Sequence, residues 1–192
     1  MVSPTPPAEQ RDGFRFRGGH RALDLVATLA ARLKPEPREL LALPGDIDRW
    51  LRAAGLPADT RATDADLHSA RRLREAVHDL ALARIAGLPD PAAARADLNQ
   101  LASGPAAAPQ LDAAGTLVWQ GRAPGLLAEV AREAVLLFGG AQAMRIRQCE
   151  ADGCAILFLD TSRSRDRRWC SMAACGNKAK VAEFRRRKAS GE

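Results

Sequence analysis

Tyrosine is absent from this chain, and its aromatic residues amount to five Phe and three Trp among 192 residues. Strand-rich folds draw heavily on aromatic and β-branched side chains, so the shortage argues against a β-sandwich. Residues 1–148 contain no cysteine, and all four thiols stand between 149 and 175. That confinement argues against thiols scattered through a core as ordinary small hydrophobes. No uncharged apolar run approaches the length that a membrane span requires. The opening MVSPTPPAEQ has no apolar stretch, so nothing in it implies an oxidising compartment, and a soluble cytoplasmic protein is expected. Neither an internal repeat nor a nucleotide-binding glycine signature occurs.

Ala and Leu dominate instead, and the length suits one large or two small domains with a real core. The expected fold is mainly α with a small β-hairpin. Residues 1–12 are Pro-rich and polar and read as disordered; 13–140 read as a helical domain and 141–192 as a small cysteine-bearing one. Phe14 and Phe16 alternate with Arg15 and Arg17 in a short extended segment that ends at Gly18-Gly19. Leu23, Val26, Ala30 and Leu33 then keep the helical period, predicting a helix from His20 to Leu33 that Pro35 and Pro37 stop. Further helices are expected from Pro44 (Ile47, Trp50, Leu51), from Thr63 to Ile85, from an Asp90 cap with Pro91 behind it, and from Leu126 to Phe138. Gln110–Asp112 and Thr116–Trp119 flank Ala113-Ala114-Gly115 as a hairpin. Gly139-Gly140 is the natural domain boundary, with a separate core expected on each side.

Cys149 and Cys154 have four residues between them, as have Cys170 and Cys175, and fifteen separate the pairs. Two close pairs across a short insert suit one Zn²⁺, which takes four thiolates at tetrahedral corners. Two disulfides or four unrelated core thiols are the alternatives. Four sulfurs would close the metal's shell and leave no position for a substrate water, so the zinc is expected to be structural and the protein not an enzyme. Met144–Gln148 and Ala155–Leu159 should pair as a hairpin. The second cysteine pair should lead into a helix capped by Asn177, with Val181 and Phe184 facing a small core.

The run FLDTSRSRDRRWCSMAACGNKAK resembles the CGNR zinc finger, with Lys178 where that name has Arg. The segment FRFRGGHRALDLVATLA resembles the start of the ABATE domain, which precedes that finger in bacterial proteins provisionally described as stress-induced transcriptional regulators. Ala27 stands where the latter pattern has Asn. The hairpin-then-helix order is similar to a treble-clef finger. The resemblance centres on His20 and Asp24 in the first segment, and these are the candidate ligand residues of the helical domain.

Charge is segregated. Residues 1–140 balance seventeen Lys/Arg against seventeen Asp/Glu, whereas 141–192 carry twelve against six, so the whole excess of +6 sits with the cysteines. A localised basic patch is the footprint of a polyanion partner. The candidate nucleic-acid residues are Arg163, Arg165, Arg167 and Arg168 between the cysteine pairs, and Lys178, Lys180, Arg185, Arg186, Arg187 and Lys188 on the last helix. They are expected to form one continuous surface for double-stranded DNA. Two other functions compete: an RNA-binding protein using the same finger, and a metabolite-binding protein or enzyme with its cavity near His20 and Asp24.

Overall fold

The computed structural model describes residues 9–56 and 61–189, excepting the side chains of residues 183, 184, 186 and 189. Strands β1 (Gln10–Arg11) and β2 (Phe14–Arg15) pair antiparallel across Asp12-Gly13, both with positive φ. Order therefore begins earlier than the expected 1–12 tail allows: Phe16 N–H donates to the Glu9 carbonyl at 2.8 Å. Residues 1–8 lie outside the described residues.

Helix α1 is Arg21–Val26, far shorter than the apolar period suggests. Thr28 ends it, its hydroxyl donating to the Leu25 carbonyl at 2.6 Å while its own carbonyl accepts from Leu40 N–H. The chain then doubles back: β3 (Leu29–Ala30) pairs with β4 (Arg38–Glu39) around the Pro35/Pro37 turn, and Leu33 is exposed. Proline cannot continue a helix, and the hairpin gives these backbone groups partners the helix could not. Beneath it Arg74 is buried, donating to Glu39 at 2.6 Å and Glu75 at 2.8 Å.

Helix α2 (Pro44–Ala53) buries Ile47, Trp50 and Leu51. Helix α3 (Asp64–Ala86) follows the sequence closely. Thr63 accepts from Asp66 N–H, Asp66 accepts from Thr63 N–H at 2.7 Å, and Gly87 closes the end at φ 66°. Its buried stripe, Leu67, Ala70, Leu73, Val77 and Leu80, is the axis on which the other helices pack. Helix α4 (Ala92–Ala102) starts one residue later than expected: Pro91 occupies the cap, and Asp90 pairs instead with Arg84 at 3.1 Å. Strands β5 (Ala108–Leu111) and β6 (Leu117–Gln120) form the expected hairpin, and α5 (Ala123–Gly139) lies against α3 and α4.

The division at Gly139-Gly140 is not one between two cores. A 3₁₀ turn (Ala141–Arg145) leads into β7 (Ile146–Gln148), which pairs antiparallel with β8 (Leu157–Leu159). Ile146, Leu157 and Leu159 join the same buried cluster as Leu23, Leu73 and Val130. Phe158 and the neighbouring Ile156 join the second cluster, around the cysteines. Side chains alternate across a strand, so β8 gives one face to each cluster. The finger is thus built into the helical body. A π-helical turn (Met172–Gly176) runs directly into α6 (Asn177–Ala189), and it is Ser171, accepting from Ala174 N–H at 3.2 Å, that caps this entry rather than Asn177.

Leu157→Ala should therefore cost about 2–5 kcal/mol, the range for an emptied core leucine. Chemical denaturation followed by far-UV circular dichroism should show the whole chain losing that stability in a single transition.

Candidate metal centre and the cleft beside it

The first knuckle is made by β7, a turn and the approach to β8. Cys149 N–H donates to the Ile156 carbonyl at 2.9 Å and Cys154 N–H to Ala151 at 2.9 Å, with Gly153 at φ 67° completing the reversal. The second is the π-helical turn, where Cys175 N–H donates to the Ser171 carbonyl at 3.0 Å. Between knuckles, Glu150 N–H donates to the Arg168 carbonyl at 3.0 Å and Cys170 N–H to Cys149 Sγ at 3.4 Å.

All four sulfurs lie within 4.8 Å of one another, and none is in a disulfide. The Cys154–Cys170, Cys170–Cys175 and Cys154–Cys175 sulfurs are 4.0, 3.7 and 3.9 Å apart. A tetrahedral zinc with bonds of about 2.3 Å sets neighbouring sulfurs about 3.8 Å apart, so the donor set fits. Electrostatics agree. The hydrogen bond from Cys170 draws the Cys154 thiol down; that same bond, then burial, drives Cys170 up, and burial raises Cys175. Four thiolates crowded this closely need a dication to ionise together. The cluster is the site of one structural Zn²⁺, whose binding supplies on the order of 10–16 kcal/mol to so small a unit.

The connection between the knuckles is tied by Asp160, which is buried. Its carboxylate accepts from Ser162 N–H at 2.9 Å, the Ser162 hydroxyl at 2.6 Å and Arg167 N–H at 3.0 Å. Burial opposes its charge, but these bonds and Arg145 outweigh that and hold the carboxyl below its ordinary value. Two of the four loop arginines are occupied. Arg167 donates to the carbonyls of Trp169 (2.8 Å) and Cys170 and covers the Phe158 ring, 4.9 Å from its centroid. Arg168 pairs with Glu150 at 2.6 Å and lies over Trp169. Arg163 and Arg165 are exposed, and Arg165 shares a small hollow with Arg145 and Arg147.

His20 and Asp24 are given structural tasks. His20 caps α1, Nδ1 accepting from Ala22 N–H at 3.3 Å; burial, then Arg21, lower its pKa and so favour the neutral ring that can accept. Asp24 accepts from Gly18 N–H at 2.7 Å, and the Gly18 carbonyl accepts from Leu159 N–H of β8 at 2.8 Å. A Cβ on Gly18 would stand 2.8 Å from Leu23 Cβ and 3.0 Å from Asp24 N, so the latch demands glycine. The motif fastens the helical body to the finger.

Neither residue lines the main concavity, which opens at the other end of α1. This cleft, about 890 Å³, lies between the Val26–Ala31 segment and the zinc knuckles. It gathers Arg168, Lys178 and Lys180 from the finger with Arg15, Arg17 and Lys34 from the body. The expected single basic ribbon is thus partly dispersed: Arg165 faces a different hollow, and Arg167 is engaged internally. Sequence reasoning missed Arg15, Arg17 and Lys34 as site residues, although the Phe14/Phe16 alternation already placed both arginines on one face. Val181 is 49% exposed and does not face the small core; the side chain of Phe184 lies outside the described residues. The backbone of Arg186 is part of α6, but its side chain likewise lies outside them.

A family model for ABATE, described as "putative stress-induced transcription regulator", matches residues 19–141, well over half of the chain. The chain belongs to the ABATE family. The CGNR zinc finger model matches residues 145–188, so the ABATE segment and the finger meet at the 3₁₀ turn that enters β7. No curated protein matches. None of the described helices is long and apolar enough to cross a membrane.

Two outcomes are expected. Cys175→Ser should lower zinc content from one per chain to near zero by atomic absorption. Because the ABATE core shares β8, it should lower the melting temperature of the whole chain as well. Burial pushes the Asp24 pKa from 3.8 up to about 7, against the Gly18 hydrogen bond and the Arg11 charge. The folded state therefore binds this proton more tightly than the unfolded one, and the contribution is full at low pH and lost as pH rises towards 7. Thermal melts across pH 4–8 should show that decline, and Asp24→Asn, which can still accept from Gly18, should flatten it.

Proposed function

We propose that this chain is a zinc-dependent, DNA-binding transcription regulator and not an enzyme, with its ABATE segment as sensor or interaction domain. One observation carries the reading. Helix α6 is basic and exposed on both sides of its axis, at Lys178, Lys180, Val181, Ala182, Arg185, Arg187 and Lys188, while its root is pinned by the zinc cluster. A helix this basic and this exposed along its described side chains suits a groove lined with phosphates. The family's description as a stress-induced transcription regulator supports the same role.

Phosphate contacts are assigned to Lys178, Lys180 and Arg185–Lys188. Arg163 and Arg165, exposed, have the bidentate forks suited to guanine edges. Arg167 and Arg168 leave the expected set of base readers, since their guanidiniums already serve the finger. Double-stranded DNA is favoured over RNA because the narrow major groove of an A-form duplex does not admit a helix.

With about five phosphates neutralised, log K should fall against log salt with a slope near −4.5 on duplex DNA. Arg185→Ala with Lys188→Ala should flatten that slope by about two units across all sequences. Fluorescence anisotropy of the zinc-loaded protein reads both. Tighter binding to RNA than to DNA, or a slope near zero, would remove the proposal.

A further inference from the structure

We infer that the cleft between the ABATE body and the zinc finger is a binding site for a small organic anion with an apolar body. Its volume of about 890 Å³ lies within the range of small-ligand pockets. The floor is apolar, built from Val26, Ala27, Leu29, Ala30 and Ile156, with Trp169 at one wall. The rim is cationic. The side chains of Arg15, Lys34, Lys178 and Lys180 have no hydrogen bond or ion pair among the described residues, whereas Arg17 pairs with Glu9 at 3.1 Å and Arg168 with Glu150.

Charge bookkeeping sets the ligand's class. Six positive side chains meet three carboxylates, Glu150 and Asp152 on the lining and Glu9 paired with Arg17. A zinc tetrathiolate, with Cys154 and Cys175 on the cleft wall, adds two negative charges. About one positive charge is left uncompensated, which suits a monoanion bearing a carboxylate or a phosphodiester. An inorganic ion would leave the apolar floor uncovered; a neutral apolar molecule would leave the rim unpaired.

The cleft also has two sides that belong to different segments. Lys34 reaches from the β3–β4 turn to within 3.9 Å of where a Cβ would stand on Gly153 of the first knuckle. Lys178 and Lys180 approach from α6. An anion held here touches the helical body and the DNA-facing helix together, so it can alter how α6 is presented. Lys178 and Lys180 are shared with the proposed DNA surface, whereas Arg15, Arg17 and Lys34 lie outside the finger, so the body-side variant separates the two readings.

The test uses the zinc-loaded full chain and 1-anilinonaphthalene-8-sulfonate, an aromatic anion whose fluorescence rises on burial. One saturable site per chain is expected. Its neutral counterpart, N-phenyl-1-naphthylamine, should bind at least about tenfold more weakly. Arg15→Glu with Lys34→Glu on the body side, and Lys178→Glu on the finger side, should each weaken the probe by at least about tenfold, with zinc content and melting temperature unchanged. Should charge reversal unfold the protein, Arg15→Ala with Lys34→Ala is the substitute, with the same direction expected. Equal binding of the neutral compound, or full probe affinity in correctly folded variants, overturns the site. So does a loss of duplex-DNA affinity in the body-side variant with probe binding intact, which would make the cleft part of the DNA surface instead.

Discussion

Three residues, Leu157–Leu159, hold the molecule together. Their strand is buried along its whole length, and alternation sends Leu157 and Leu159 into the helical core and Phe158 towards the cysteines. The finger is too small to fold on its own apolar surface, and it lends Ile146, Leu157 and Leu159 to the core of the helical body. Zinc therefore stabilises more than the loops that ligate it: by fixing the Phe158 side of β8, it fixes a hairpin whose β8 packs against α1 and whose β7 packs against α3.

The Gly18–Asp24 latch belongs to the same joint. Asp24 holds the Gly18 amide, and Gly18 in turn offers its carbonyl to Leu159. Residues that sequence similarity singles out as a signature thus do backbone work at the seam between two segments. Their burial explains the raised carboxyl pKa without any catalytic demand.

Much of this was legible in the sequence. The cysteine quartet, the Thr63-to-Gly87 limits of α3 and the β5–β6 and β7–β8 hairpins came from spacing, caps and turn residues whose physics is local. What escaped depended on distant partners. Leu29 and Leu33 continue a helical period that Thr28 and the Pro35/Pro37 hairpin override. Gly139-Gly140 has the composition of a linker, yet the residues beyond it return to the first core. Four loop arginines look alike in a string of letters. Only the fold shows that Arg167 is spent on the carbonyls of Trp169 and Cys170 and the face of Phe158, while Arg163 and Arg165 stay exposed.

The two-faced strand has a consequence for how the chain can change in length. Inserting or deleting one residue between Cys154 and Leu157 would exchange the faces, turning Phe158 towards the helices and its leucine neighbours towards the sulfurs. An insertion of two would keep every side chain on its own side and merely enlarge the knuckle. Parity, more than the identity of the residues added, decides which length variants of this segment can still fold.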